Sequence, residues 1–289
     1  MMDRIDGRTR VLALIGSPVG HSFSPAMYNL SFEKLGQNFV YVAYDVKEDE
    51  VGRALDAFRL FNYRGGNVTM PCKTAAARCV DRLSPAAELI GAVNTIVNDG
   101  GVLTGHNTDG EGFVNNLKSH GVSVKGKRIV IAGSGGAAVS IAAQCALDGA
   151  GSLVMLKRVN NSFAKAVGNA KRISSASGVR FDVCDADDAP LVAQVMESAD
   201  IFANGTPLGM RPAYENESPI RDAAMLHEGL VVADAVYNPV ETRLLKEARE
   251  RGCVCVGGKG MLLWQGVAAF KLFTGLDMPV DEVRERFFS

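Results

Sequence analysis

The segment Gly133-Ser134-Gly135-Gly136-Ala137-Ala138 follows directly on the apolar run Ile129-Val130-Ile131-Ala132 and opens a stretch of helical composition. Continuous β-branched residues without alternation read as a strand covered on both faces, which calls for helices on either side of a parallel sheet. The glycines match the pattern G-x-G-x-x-A. They permit a tight turn and let backbone N–H groups approach a pyrophosphate at a helix N-terminus. A plain glycine-rich turn would share the pattern, but the strand before, the helix after and a further strand at 152–157 favour a dinucleotide.

Similar strand runs recur at 179–183, 199–203, 230–233 and 254–257, separated by helical stretches. That spacing predicts a six-stranded, doubly wound Rossmann domain over 111–259. A dinucleotide site selective for NAD places an acid after the second strand, to bind the ribose hydroxyls. Here that strand runs into Lys157-Arg158, with Asn160 and Asn161 following, and cations there suit a 2′-phosphate. NADP is therefore the expected cofactor, with NAD possible.

Residues 1–110 alternate differently. Strands are expected at 11–15, 39–46 and 66–69, with helices at 24–34, where Ser24-Pro25 reads as N-cap and first-turn proline, and at 48–60. Further helices are expected from Lys73 and from Pro85. Residues 91–97 and 102–105 flank Asn98-Asp99-Gly100-Gly101, a hairpin signal that puts an antiparallel element into a βα domain. Residues 260–289 read as C-terminal helices returning to this first domain. The fold class is thus α/β: an N-terminal βα substrate domain, a Rossmann nucleotide-binding domain and a cleft between them.

Composition removes several classes of function. The chain has 289 residues with 47% hydrophobic and 22% charged content, enough for two cores. A net charge of -1, with no Lys/Arg run longer than two, provides no field for nucleic acid. No apolar stretch approaches a bilayer's span, and the opening Met1-Met2-Asp3-Arg4-Ile5-Asp6 is too charged to begin a secretory signal. The expectation is a cytoplasmic protein, monomer or homodimer, acting on a small molecule. The six cysteines form no CxxC pair, and Cys253 and Cys255 read as buried free thiols on one strand face. None of the four histidines has metal-ligand spacing, so no metal is expected.

Two motifs carry chemistry. Gly66-Asn67-Val68-Thr69-Met70-Pro71-Cys72-Lys73 delivers a lysine just after a strand has turned at a proline, and Gly105-His106-Asn107-Thr108-Asp109-Gly110 delivers an aspartate where a strand hands over to a helix. Oxidising a secondary alcohol requires a proton acceptor beside the hydroxyl while hydride leaves for nicotinamide; the reverse reaction requires a donor beside the carbonyl. A lysine can do both, with a neighbouring aspartate to orient it. Each residue also has a plainer reading: Lys73 as a solvated first-turn residue, Asp109 as an N-cap, Ser22 and Ser24 as caps. Asn94, inside the apolar run 92–97, is harder to dismiss because a buried amide needs a partner. Gln265, among Met261, Leu262, Leu263 and Trp264, likewise favours a ligand contact.

The order and spacing of these motifs resemble the shikimate dehydrogenase family, particularly its quinate/shikimate and dehydrogenase-like branches. The resemblance runs nearly end to end and is carried by Gly16-Ser17-Pro18, His21-Ser22-Phe23-Ser24-Pro25, the Gly66 and Gly105 motifs, Gly91-Ala92-Val93-Asn94-Thr95, Asn204-Gly205-Thr206-Pro207-Leu208-Gly209-Met210, Tyr237-Asn238-Pro239, and Gly260-Met261-Leu262 with Gln265. It implies NADP-linked interconversion of shikimate and 3-dehydroshikimate. By motif position, Lys73 and Asp109 would be the catalytic pair. Ser22 and Ser24 would hold the substrate carboxylate, helped by Tyr41 or Tyr237, and Thr69, Asn94 and Gln265 the ring hydroxyls. Gly133, Ser134, Gly135, Gly136, Ala137, Lys157, Arg158, Thr206 and Gly258 would line the cofactor. Tyr28 stands where the family usually has histidine, and Lys157-Arg158-Val159 replaces the common asparagine-arginine-threonine.

Three alternatives remain. One is quinate/shikimate dehydrogenation with NAD or NADP. Another is a methylenetetrahydrofolate dehydrogenase of similar two-domain plan, which leaves the serine pair without a purpose. The third is a non-catalytic nicotinamide or metabolite sensor, which would be expected to lose Lys73 or Asp109.

Overall fold

A computed structural model describes residues 5–288. The first four residues, part of the segment read as no secretory signal, lie outside the described residues. Two units divide the chain: residues up to Thr108 together with those from Gln265 onwards, and Asp109–Trp264. The expected bounds were 110 and 260. Both positions fall inside helices, one starting at Asp109 and one covering Gly258–Thr274.

In the first unit, β1 (Arg10–Gly16), β2 (Phe39–Asp45), β3 (Gly65–Val68), β4 (Arg82–Leu83), β5 (Thr95–Asp99) and β6 (Val102–His106) form one sheet in the order β2-β1-β3-β5-β6-β4. β1 is parallel to β2 and β3, whereas β5 runs antiparallel to β3 and β6. The antiparallel strand is the expected hairpin arm. Its direction matters for function: β3 ends, β5 begins and β6 ends at the same edge of the sheet.

Helices α1 (Ser24–Lys34), α2 (Val51–Leu60), α3 (Lys73–Cys79) and α4 (Pro85–Ile90) connect these strands. α2 buries Val51, Leu55 and Phe58, spaced four and three residues apart, as an amphipathic helix must. Fully burying such side chains contributes about 1.5–3 kcal/mol each. They pack with Ile15, Val68, Ile96 and Leu103 of the sheet. A second, aromatic cluster joins α1 to the helix Gly258–Thr274: Tyr28 stacks on Tyr41 at 4.5 Å between centroids, and Phe32 stacks on Phe270 at 5.5 Å.

The second unit holds β7 (Arg128–Ala132), β8 (Ser152–Lys157), β9 (Arg180–Asp185), β10 (Ile201–Asn204), β11 (Val231–Asp234) and β12 (Val254–Val256), all parallel, in the order β12-β11-β10-β7-β8-β9. This is the doubly wound order, reversing direction at β7 and β10, and it is the expected Rossmann arrangement. Its helices are α5 (Asp109–Ser119), α6 (Gly136–Leu147), α7 (Phe163–Ser177), α8 (Ala189–Glu197) and α9 (Arg243–Glu250). α10 (Gly258–Thr274) starts in this unit and finishes in the first, followed there by α11 (Val280–Phe287).

Three local expectations are corrected, and one strand lay outside the expectations. Ser24 is the first residue of α1 rather than its cap: Phe23 occupies the cap position, and no side chain caps the helix. The strand expected from Gly91 begins at Thr95, because α4 runs to Ile90 and Gly91 caps it in the left-handed conformation. The two-residue β4 is too short to leave a periodic signal. Cys253 and Cys255 are half-buried rather than buried, and Cys253 precedes the strand. Among the described residues, no helix is long and apolar enough to cross a membrane.

Candidate active site

Lys73 is the first residue of α3, half-buried, directly after a turn closed by Cys72 N–H donating to the Thr69 carbonyl at 2.9 Å. Its own carbonyl accepts from Val93 N–H at 3.0 Å, which ties the start of α3 to the residues just before β5. Asn94 comes next. It is 2% exposed, its backbone N–H donates to the His106 carbonyl at 3.0 Å, and its carbonyl accepts from Val68 N–H at 2.8 Å.

The Asn94 side chain is the centre of a buried polar network. Its Oδ1 accepts from Thr108 N–H at 2.8 Å and from the Thr95 hydroxyl at 3.0 Å, and its Nδ2 donates to the Thr108 hydroxyl at 3.0 Å. Asn67 on β3 donates to the Thr95 hydroxyl at 3.0 Å and to the Asn94 carbonyl at 3.2 Å, and accepts from the Tyr41 hydroxyl at 2.8 Å. Such a network is stable inside a core only when its members are paired. Its effect is to hold the ends of β3, β5 and β6 in one register, with Lys73 on one side and Thr108, the residue before Asp109, on the other. Asp109 then opens α5 as its first residue.

The remaining substrate candidates are held in different ways. Thr69, half-buried, donates its N–H to the Ile15 carbonyl at 2.9 Å, and Ser17 N–H donates to the Met70 carbonyl at 3.0 Å, so the ends of β1 and β3 are tied together. Ser22 and Ser24 follow β1, both half-buried, with Ser24 N–H donating to the Ser22 hydroxyl at 3.2 Å. Gln265 is half-buried on α10, one residue before Gly266, whose carbonyl accepts from the Tyr28 hydroxyl at 3.2 Å. Tyr41 faces inward: it is 1% exposed, its hydroxyl is given to Asn67, and burial raises its pKa well above the ordinary tyrosine value. Tyr237 belongs to the second unit and is exposed. His106, beside Asn107 in the aspartate motif, has its pKa lowered by burial.

In the second unit a groove of about 500 Å³ is lined by Gly133, Ser134, Gly135, Lys157, Arg158 and Thr206 among the expected cofactor residues. Gly136 and Ala137 form the first turn of α6 behind them, and Gly258 starts α10. Gly133 has φ +97°, where a side chain would also press on the Thr206 methyl at 2.8 Å. The start of α6 has no side-chain cap and no acid in its first turn, and open space faces Gly135 and Gly136. Unsatisfied N–H groups with room in front of them fit a pyrophosphate, and Lys157 with Arg158 fits a 2′-phosphate. Asp187 and Arg221 also line this groove and form an ion pair. Among the described residues, no three His, Cys, Asp or Glu side chains group as metal ligands would.

The family profile described as "Shikimate dehydrogenase substrate binding domain" matches residues 14–96, and that described as "Shikimate 5'-dehydrogenase C-terminal domain" matches 258–286. The chain is 44% identical over 286 residues to a shikimate dehydrogenase (NADP(+)) of Listeria monocytogenes, covering 99% of this chain and 98% of that one. This chain belongs to the shikimate dehydrogenase family. The crystal structure of shikimate 5-dehydrogenase from Listeria monocytogenes, in complex with shikimate and NAD, superposes with a TM-score of 0.96 at 43% identity, covering 100% of this chain and 99% of that one. A quinate/shikimate dehydrogenase of Escherichia coli is 42% identical over 281 residues, 97% of each chain. Shikimate dehydrogenases are NAD(P)-dependent oxidoreductases, so the family agrees with the expected nicotinamide cofactor.

Several residues of this shikimate dehydrogenase family member escaped the sequence reading. Asn67, Thr95 and Thr108 lie within quoted motifs, but nothing in a linear pattern shows that their side chains meet. Asp234 and Thr242, buried behind the groove, were also missed; the signal was a lone acid closing the apolar run of β11. Arg64 is a third kind of miss. Its guanidinium holds the end of α10 by donating to the Phe273 carbonyl at 2.7 Å, and it pairs with Asp99 at 2.6 Å.

Proposed function

We propose that this chain catalyses the reversible, NADP-linked oxidation of shikimate to 3-dehydroshikimate, with Lys73 and Asp109 as its catalytic pair. The observation that carries the reading is the buried network linking the backbone of Lys73 through Asn94 to Thr108, at the threshold of Asp109, in a chain 44% identical to a shikimate dehydrogenase (NADP(+)) along its length.

In the oxidation, Lys73 Nζ accepts the proton of the reacting hydroxyl and Asp109 orients the ammonium that results; in the reduction, the same ammonium returns the proton to the carbonyl oxygen. The bound nicotinamide supplies the hydride acceptor or donor. Ser22 and Ser24 present hydroxyl donors to the carboxylate, with Tyr237 as a further candidate. Thr69, Asn94 and Gln265 bind ring hydroxyls and thereby fix which carbon reacts. Tyr41, which gives its buried hydroxyl to Asn67, is assigned to holding Asn67 rather than to the carboxylate. Gly133, Ser134, Gly135, Gly136 and Ala137 would hold the pyrophosphate, Lys157 and Arg158 the 2′-phosphate, and Thr206 and Gly258 the remainder of the nucleotide.

A second reading, quinate/shikimate dehydrogenation with either nicotinamide, is supported by the 42% identity to an enzyme of that name. The purified protein is expected to reduce NADP in the presence of shikimate, followed at the absorbance of NADPH. No reduction with shikimate or quinate, with NADP or NAD, would leave the sensor reading in its place. The protein is read as acting on a small molecule in the cytoplasm, as a monomer or homodimer.

A further inference from the structure

Behind the nucleotide groove lies a buried carboxylate that does not line it. Asp234, the last residue of β11, is 2% exposed. Its Oδ1 accepts from Asn204 Nδ2 at 2.9 Å and from Val236 N–H at 2.9 Å, and its Oδ2 accepts from the Thr242 hydroxyl at 2.7 Å. An acid this deeply buried is costly unless its lone pairs are used, and these three donors use them.

Two arms leave this carboxylate. The first runs through Asn204, itself fully buried at the end of β10. Asn204 Oδ1 accepts from Thr206 N–H at 3.0 Å and from the Thr206 hydroxyl at 2.6 Å, while its Nδ2 also reaches the Leu208 carbonyl at 3.1 Å. Thr206 and Leu208 are lining residues of the groove. A carboxylate only accepts, so it holds the Asn204 amide with nitrogen inward and oxygen toward Thr206. A flipped amide would set its NH2 against the Thr206 N–H, donor against donor.

The second arm runs through Val236. Its N–H is held by Asp234, and its carbonyl lies so close to Gly258 that any Cβ there would overlap it. Gly258 begins α10, and the neighbouring Gly257 carbonyl is held by Asn116 Nδ2 at 3.0 Å. One acid therefore braces both Thr206 and Gly258, the two cofactor candidates that lie outside the glycine loop and the end of β8.

We propose that Asp234 is the positioning residue of the nucleotide site: acting through Asn204 and Val236, it sets the 204–208 loop and the start of α10 at the spacing a dinucleotide needs, without touching the dinucleotide. The inference rests on reading the groove as the nucleotide site. Asparagine at 234 can reproduce the arrangement, with its oxygen taking Asn204 and Val236 and its NH2 donating to a rotated Thr242 hydroxyl. Alanine cannot.

The test is calorimetric titration of NADP into the full chain, with the KM for shikimate and the melting temperature measured in parallel. Asp234→Ala is expected to weaken NADP binding roughly tenfold or more while changing the shikimate KM by less than about twofold, since an ångström of misplacement is felt on that scale. Asp234→Asn is expected to restore binding to within about threefold of wild type. In an Asn204→Ala background, Asp234→Ala is expected to add little, because the main arm is already cut. A folded Asp234→Ala protein with an unchanged NADP constant, or losses that simply multiply in the double variant, overturns the proposal. If Asp234→Ala does not fold, Thr242→Val reads the same contact; it is expected to weaken NADP, and an unchanged constant again overturns. Failure of the wild type to bind NADP at all overturns the reading of the groove itself, which separates the two failures.

Discussion

The Tyr41 hydroxyl donates to Asn67 Oδ1 at 2.8 Å, and through Asn67 it reaches the Thr95 hydroxyl and the Asn94 carbonyl. Both side chains are buried, so the bond serves the interior rather than a ligand. Tyr41→Phe is expected to cost about 1 kcal/mol in urea unfolding, the net value of one such bond. The shikimate KM should move by less than about twofold. A large rise in KM at unchanged stability would return Tyr41 to the carboxylate.

Lys73→Ala is expected to reduce turnover by about 100- to 10,000-fold, the range that general acid–base groups contribute. The fold should survive, because Lys73 is half-buried and its tie to Val93 uses only the backbone carbonyl. Asp109→Asn should also be severe, since an amide does not carry the charge that orients the ammonium. Near-normal turnover of Lys73→Ala at saturating substrate would remove this residue from the chemistry.

What the linear pattern revealed and what it hid follow from one physical difference. Strand and helix periods leave a trace within ten residues, so β7, the glycine loop, α6 and the succession of strand runs after them were all legible. Side-chain pairing across strands leaves none. Arg64 and Phe273 are 209 positions apart, and Asn67 and Thr95 are 28 apart, so their bonds are invisible until the sheet is assembled. Tyr41 illustrates the same limit: tyrosine suits a carboxylate and a buried hydrogen bond equally well, and only its position in β2 under Tyr28 decides. Asp234 was hidden because the strand was read as ending at Ala233.

Arg158 is exposed on the rim of the groove beside half-buried Lys157. Contacts between a guanidinium and a phosphate are among the stronger polar interactions, and charge reversal converts attraction to repulsion. Arg158→Glu is therefore expected to lower kcat/KM with NADP by at least roughly tenfold more than with NAD. Equal losses with the two cofactors would show that Arg158 does not meet the 2′-phosphate.

Burial raises the Asp234 carboxyl above its ordinary value of 3.8, with the bonds from Thr242, Val236 and Asn204 acting in the opposite direction. The folded protein thus holds this proton more tightly than the unfolded chain does. The associated stabilisation is complete below the unfolded value and is lost as pH rises through the folded one. Asp234→Asn lacks this titration. The stability of the wild type relative to Asp234→Asn is expected to fall as pH rises above the ordinary value of 3.8, measured by unfolding at several pH values. A difference that is flat, or that grows with pH, contradicts the sign.

Thr69 is the proposed determinant of substrate choice. Its methyl fills the space beside Gly16, where φ is +153° and a Cβ would overlap it, so the methyl packs against the end of β1. The chain leaving β1 leads to Ser22 and Ser24, the proposed carboxylate donors. Quinate carries an extra hydroxyl on the carbon bearing that carboxylate, so a site that accepts it needs room on this side. Serine at 69 would keep the hydroxyl and remove the methyl, opening space toward β1. Shikimate is expected to be the better substrate of the wild type, with quinate weak, and Thr69→Ser should raise the quinate-to-shikimate ratio of kcat/KM by roughly threefold or more, within the range that one methyl group commands. Measuring both substrates with both proteins decides it: a wild-type preference for quinate overturns the expected specificity, and an unchanged ratio in Thr69→Ser shows that the methyl is not what excludes the larger polyol.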